Sequence, residues 1–455
     1  MTGIGSERLG RMREEFEKVA RVLERCETVD KSLAVPTEEF LRRQKAVQEA
    51  LEKAEIPVGV VFSDEQYCGD VPYLGGNTNV VIEQAAGAIG KTGFHIIAGP
   101  EGGYTTEQLS PRAKAKVHKV ELLQLADEEY PVAAERLEDV LAEAAGGPFD
   151  RIGLLTPRQV VPAAIVEYLE SIVGAENVVD VQPIYYGIKY EKSDVEMALI
   201  RDANVIADAM MRAMLAVLNP GMLETQVAAW GYLVAKELGS EGMGWDVIVG
   251  SGEANRTIIG PALNRRINRG EYVHLGVAPK RDGLNSCVRR SVVAVEDPRE
   301  VTADQRYWFE FVEGAYKAGL EEYTQVAEKN LPARLAEQAI VDYFKSREEE
   351  VSRRIGKKVD LARQKPYSSM HNSGYTECQE FYGAITLGSD EPLGHQIALM
   401  LDVAVRGVGD YWNEVVIPGM DYVVVENTLG KFGPRVEVFN KVPENVQDLV
   451  GRMPK

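Results

Sequence analysis

Two apolar, β-branched runs, Val273–Val277 and Leu284–Val295, flank Arg281-Asp282-Gly283, a combination that signals a hairpin. On paired antiparallel strands, side chains share a face when their numbers sum with the parity of a facing pair. A tight Asp282-Gly283 turn pairs 281 with 284, so His274, Cys287 and Arg289 fall on one face. The same turn sets 274 opposite 291 rather than 287, so imidazole and thiol share a face without facing each other. Further along, His371 sits in a Gly- and Ser-bearing segment, and Asp402 lies within the apolar run Ile397–Val405. A carboxylate buried there needs a cation or several donors to stay charged, and Arg289, Arg290 or a metal ion would serve. Imidazole nitrogen, thiolate and carboxylate oxygen together suit one zinc or iron ion. Taken singly, Cys287 reads as a small buried hydrophobe. His95, His118 and His395 read as hydrogen-bonded core or surface residues.

The elements that must hold these residues follow from periodicity. Residues 1–34 give a charged helix from about Glu7 to Cys26 and a linker. Thr37 caps a second helix reaching about Ala54, with Phe40, Val47, Ala50 and Leu51 as its apolar stripe. Strands are expected at Val58–Phe62, Phe94–Ala98, Val117–Leu122 and Arg151–Leu155, with helices at about Val132–Ala144 and Ala163–Val173. This alternation predicts a small α/β domain over 35–185. Ser193-Asp194-Val195-Glu196 is a capping box opening a helix to about Leu218, whose methionines at 197, 210, 211 and 214 read as core. Helices follow at Leu223–Leu238, Ala303–Glu328 and Ala333–Phe344, and strands at Ile397–Val405, Asn413–Ile417 and Tyr422–Glu426.

The 455 residues suit two domains. With 51 basic and 70 acidic residues the net charge is −19, which disfavours nucleic acid and anionic membrane as partners. Four scattered cysteines, no signal-like start and no apolar run of membrane-spanning length point to a reduced, cytoplasmic protein.

Tyr190–Arg201 followed by Pro220-Gly221-Met222-Leu223-Glu224 resembles the opening of the pita-bread domain of the creatinase and Xaa-Pro aminopeptidase family. Ser251-Gly252, Val273–Arg290, His371-Asn372-Ser373-Gly374, Asp402 and Glu426-Asn427-Thr428 fall in the family's order, and Tyr73-Leu74-Gly75-Gly76 is similar to its Tyr-Leu-Thr-Gly. The resemblance covers about residues 37–435 and implies a mixed α/β fold: a helical extension at 1–34, the small domain, and a pita-bread domain over 190–455 with a curved antiparallel sheet. It also implies a homodimer, with Tyr67, Asp70 and Tyr73 as candidates for a lid and Tyr73 for substrate binding.

Metallopeptidases of the family hold two metal ions between Asp, Asp, His, Glu and Glu. The corresponding positions here read His274, Cys287, His371, Asp402 and Glu426, on a hairpin about two residues longer than usual. The family's catalytic histidine falls at Ile258 or Ile259, and its second histidine is Cys378. The resemblance therefore implies a hydrolase of a C–N bond in a small, carboxylate-bearing molecule rather than an ordinary aminopeptidase. Glu426, Cys378 and Glu414 are the possible proton carriers. One divalent ion, zinc or iron, or none, would be bound. A lyase on the same fold, or a pseudoenzyme that only binds, are the alternatives. Arg289, where creatinase has a substrate-binding carboxylate, would clamp an anionic substrate or form an internal salt bridge to Asp402 or Glu426.

Overall fold

The computed structural model describes residues 5–78, 84–124, 133–377 and 382–452. Two sheets organise them. The first runs, from edge to edge, Lys116–Lys119, Gly93–Ala98, Ala85–Gly90, Val58–Ser63, Ile152–Leu154 and Val178–Asp180. Its central hairpin partners are antiparallel and its outer pairs parallel. Val58, Val60, Phe62, Ile152 and Leu154 pack under the helices Leu137–Ala145 and Ala163–Val173, while Thr37–Lys53 covers the other face through Phe40, Val47 and Leu51.

The strand Ala85–Gly90 carries almost no strand propensity in its residues Ala-Ala-Gly-Ala-Ile-Gly. It forms because both neighbours are stronger strands and because its small side chains make room for them. A Cβ on Gly87 would lie 2.4 Å from the Phe94 ring. The helix Gln182–Tyr190 was also not expected, and its Tyr185 is fully buried between the two halves of the chain. The expected start of the preceding helix at Val132 lies outside the described residues; the helix observed there begins at Leu137.

The second sheet is antiparallel throughout, in the order Met370–Asn372, Gln396–Arg406, Tyr422–Phe432, Val288–Val293, Tyr272–Val277, Ile248–Ser251, with Arg435–Val438 also pairing Tyr422–Phe432. Val273, Leu275, Val288 and Val292 meet the helices Asp194–Val217 and Glu224–Glu237. Leu401, Val403, Val405, Val423 and Val425 meet Ala303–Lys329 and Arg334–Ile355 around Trp308 and Phe311. The capping box at Ser193 and Glu196 is formed, and Met197, Met210, Met211 and Met214 are buried as core. Asn413–Ile417 is not a strand; it is part of the loop after Arg406, touched by one bridge between Val408 and Val415.

That loop depends on Gly407, because a Cβ there would sit 1.6 Å from the carbonyl oxygen of Met420. Backbone cannot yield as a flexible side chain does. Gly407→Ala is expected to cost about 3 kcal/mol or more in a urea unfolding titration. A loss under 1 kcal/mol would show that the turn re-forms around the methyl group.

The helix Ser6–Arg25 lies on Asp194–Val217, with Val19 and Val22 in its core. Glu15 accepts a hydrogen bond from the Trp230 indole at 2.8 Å, and Lys18 donates to Ala216 O at 3.0 Å. Among the described residues, no helix is long and apolar enough to cross a membrane.

Candidate active site

The Asp282-Gly283 turn has both residues at positive φ, 47° and 82°, as an Asp-Gly hairpin requires. It pairs Arg281 with Leu284, and the register continues without a bulge so that His274 faces Ser291 and Gly276 faces Arg289. Across the next strands Arg289 faces Glu426, and Glu426 faces Asp402. Directly opposed residues share a face. The ladder therefore sets a cation and two carboxylates in one row, and His371, opposite Met400, joins the same side.

Arg289 is buried and all five of its N–H groups are used. Nε donates to His274 Nε2 at 3.0 Å, Nη1 to Asp402 Oδ2 at 2.9 Å and to the Tyr367 hydroxyl at 3.4 Å, and Nη2 to Ile258 O at 2.7 Å and the Tyr422 hydroxyl at 2.8 Å. Nη1 also lies 3.5 Å from Glu426 Oε2. Of the two readings of Arg289, substrate clamp or internal salt bridge, the geometry here is that of the salt bridge to Asp402. Burial opposes its charge, yet the phenol and carboxylate groups around it hold its pKa well above the ordinary value. His274 is kept neutral by burial and by Arg289, and its Nε2 is occupied as the acceptor of the Arg289 Nε–H.

On the other side of Glu426 the arrangement is different. His371 Nε2 lies 3.4 Å from Glu426 Oε1 and 3.8 Å from a Glu377 oxygen. The ligand atoms of Cys287, Glu377 and Glu426 lie within 4.8 Å of one another, as do those of His371, Asp402 and Glu426. Trp245 donates to the second Glu377 oxygen at 2.6 Å. Neither Glu426 oxygen has a hydrogen bond of ordinary geometry among the described residues. Burial pushes the Cys287 thiol up, helped by Glu426 and Glu377. Burial opposes a charge on His371, but Glu426 and Glu377 push it up to about 9. Burial, then Glu426, raise Asp402 to about 7. Glu426 itself stays below the usual carboxylate range, because His371 and Arg289 outweigh its burial.

Ile258 has φ 65° and ψ −50°, an arrangement costing on the order of 1–3 kcal/mol for a β-branched residue. Its carbonyl on Arg289 and its packing against the cluster of Ala404, Tyr422 and Val424 hold it there. Ile259 projects into solvent. Neither side chain can move a proton.

The other expected site residues fall elsewhere. Tyr73 is buried within its own chain, edge-on to Tyr185 and Tyr375 and beneath the Arg43 guanidinium at 4.3 Å. Tyr67 and Asp70 are likewise buried. Glu414 is exposed on the loop after Arg406 and its carboxylate accepts from Asp410 N at 2.9 Å, outside the cluster. Cys378 lies outside the described residues. His95, His118 and Glu143 also come together, but the imidazoles are already engaged: His95 Nδ1 with His118 Nε2 at 2.9 Å, and His118 Nδ1 with Glu135 at 3.0 Å.

Sequence reasoning missed Glu377, Trp245, Tyr367 and Tyr422. Only Glu377 had a signal: it is an acidic residue at the end of the turn that starts at His371. The bridge between Ser373 and Glu377 folds it back.

The comparisons agree with this architecture. Residues 198–393 match the model of metallopeptidase family M24. An uncharacterized peptidase, YqhT, of Bacillus subtilis (strain 168) is 25% identical over 225 residues, 49% of this chain and 60% of that protein. A Xaa-Pro dipeptidase of Pyrococcus horikoshii is 28% identical over 160 residues, 35% of this chain and 44% of that protein. The sequence matches thus span roughly half the length of these curated relatives. A solved Xaa-Pro dipeptidase from Bacillus anthracis superposes with a TM-score of 0.67 at 16% identity, covering 90% of this chain and 99% of that one. An X-Pro aminopeptidase from Thermotoga maritima gives 0.68 at 14% identity, covering 89% and 99%. These likenesses show the pita-bread fold.

M24 enzymes typically use divalent metals, and two groups of possible ligands meet at Glu426 here. Asp402 already has a hydrogen bond on each oxygen, from Arg289 and from Tyr367 at 2.9 Å, and the guanidinium fills the space beside it. On the His371 side, the buried Glu426 oxygen has no ordinary donor among the described residues, and thiol, imidazole and carboxylate lie around it.

Proposed function

We propose that the chain is a hydrolase of a C–N bond in a small, carboxylate-bearing molecule, and not an ordinary aminopeptidase. The observation that carries this is Glu426, a buried carboxylate with no ordinary hydrogen bond to either oxygen among the described residues, set between His371 and Arg289 in a pita-bread fold. Hydrolysis of an amide-type bond needs a base for the water proton and positive charge near the developing oxyanion. Glu426 has one oxygen facing each cation, so it can take a proton at one oxygen while remaining held through the other. Glu377, fixed by Trp245, supports the same side. A metal ion held by Cys287, His371, Glu377 and Glu426 would supply Lewis acidity and a more acidic water. Of the cluster, the His371 side chain is the most exposed, at 19%, so substrate approaches from that side.

What separates the chain from the Xaa-Pro dipeptidases it resembles is the segment at Ile258 and Ile259, which offers no proton carrier, together with the fully engaged Arg289. Those two features also favour the second reading, a module that binds a small molecule without turning it over.

Purified protein would be assayed for amine release from Xaa-Pro dipeptides, N-acyl amino acids and guanidino acids. The expected result is turnover of a non-dipeptide substrate, lowered at least about 100-fold by Glu426→Gln and by His371→Ala. Xaa-Pro cleavage as the dominant activity would remove the claim of divergence. Tight binding with no product for any compound would replace the hydrolase reading by the binding one.

A further inference from the structure

We infer that this site is a single-ion centre for a thiophilic metal, with Cys287 Sγ, His371 Nε2, Glu377 and Glu426 as its ligands and Arg289 as a permanent internal cation in place of a second ion. The inference concerns binding and does not depend on turnover.

Three observations carry it. The first is spacing. His371 Nε2 and Glu426 Oε1 are an ion pair at 3.4 Å, longer than the roughly 2.7–2.9 Å usual for a charge-assisted hydrogen bond. Two ligands at about 2.0–2.1 Å from a tetrahedral ion stand about 3.4 Å apart. Cys287, Glu377 and Glu426 fall in the same small volume, their ligand atoms within 4.8 Å of one another.

The second is the division of Glu426. Its Oε1 faces His371, and its Oε2 faces Arg289 Nη1 at 3.5 Å. The two groups of possible ligands share this residue, and in the one containing Asp402 a positive charge is already present. Arg289 cannot be displaced cheaply, because five N–H groups bind His274, Asp402, Tyr367, Ile258 and Tyr422. A divalent ion beside it would meet a fixed cation and a carboxylate with no free oxygen.

The third is the donor set. A thiolate with imidazole and carboxylate selects zinc or ferrous iron over manganese or magnesium, which prefer oxygen. Trp245 holds the second Glu377 oxygen, as an outer partner of a metal ligand commonly does.

The test uses the whole chain, stripped with chelator and titrated with cobalt(II) and with zinc. The expected result is one ion per chain and a near-ultraviolet thiolate-to-cobalt band. Cys287→Ser should abolish the band, and Glu377→Gln should weaken zinc binding at least about 100-fold. Asp402→Asn should leave the stoichiometry at one. Two ions per chain, no binding, or a bound cobalt without the thiolate band in the unaltered protein would each overturn the inference, whatever the variants do. One ion with no substrate turnover would leave it standing while the hydrolase reading fails.

Discussion

Arg289→Met is expected to lower the unfolding free energy by about 3–5 kcal/mol, the cost of removing one partner from a buried ion pair. The reason is what remains behind. Asp402 and Glu426 face each other across adjacent strands, and without the guanidinium two buried carboxylates confront one another. His274 Nε2 and the carbonyl of the strained Ile258 would also lose their donor. Arg289→Lys keeps the charge but not the planar five-donor fork, so it should fall between the two proteins. The measurement is urea unfolding with chelator present, so that no ion takes the empty place. A loss below about 1 kcal/mol for the methionine variant would mean that the carboxylates simply take up protons and the row is not held by Arg289.

A comparable loss, about 3–5 kcal/mol, is expected for Arg43→Met, at the seam between the two sheets. Arg43 is fully buried on the helix Thr37–Lys53. Its Nε donates to Glu39 at 2.8 Å, its Nη1 to Tyr73 O and to the Tyr375 hydroxyl at 3.0 Å each, and its Nη2 lies 3.2 Å from Glu196. Glu196 is the capping-box carboxylate of the helix Asp194–Val217, so one side chain ties the small sheet's covering helix to the start of the long one. Removing it leaves the buried Glu196 with only its Ser193 contacts and takes one of two arginines from Glu39, which Arg42 still binds at 2.7 Å. Calorimetry would report a lower melting temperature, and a variant that melts like the parent would show that Arg43 is replaceable packing.

Much of the fold was legible because its signals are local. The capping box at Ser193, the Asp282-Gly283 turn and the methionine-rich helix behave as their residues dictate. Ala85–Gly90 and Gln182–Tyr190 were not legible, since neighbouring strands and the inter-sheet seam stabilise them more than their own composition does. Asn413–Ile417 erred in the other direction: its β-branched residues suggest a strand, but Gly407 and the Met420 carbonyl impose a loop.

At the site, the sequence by itself determined that His274, Cys287 and Arg289 share a strand face, because side-chain alternation is fixed by the backbone. By resemblance, it also leads us to expect the family's catalytic histidine at or next to Ile259, where neither Ile258 nor Ile259 carries a proton. Which of those residues meet was decided only by the tertiary structure. Cross-strand register set Arg289 opposite Glu426 and Glu426 opposite Asp402, and that turned a candidate substrate clamp into an internal cation. The fold-back after His371 brought in Glu377, which no periodicity marks. Face is a property of one strand, whereas a binding site is a matter of distances among several, and those are set by how the strands align.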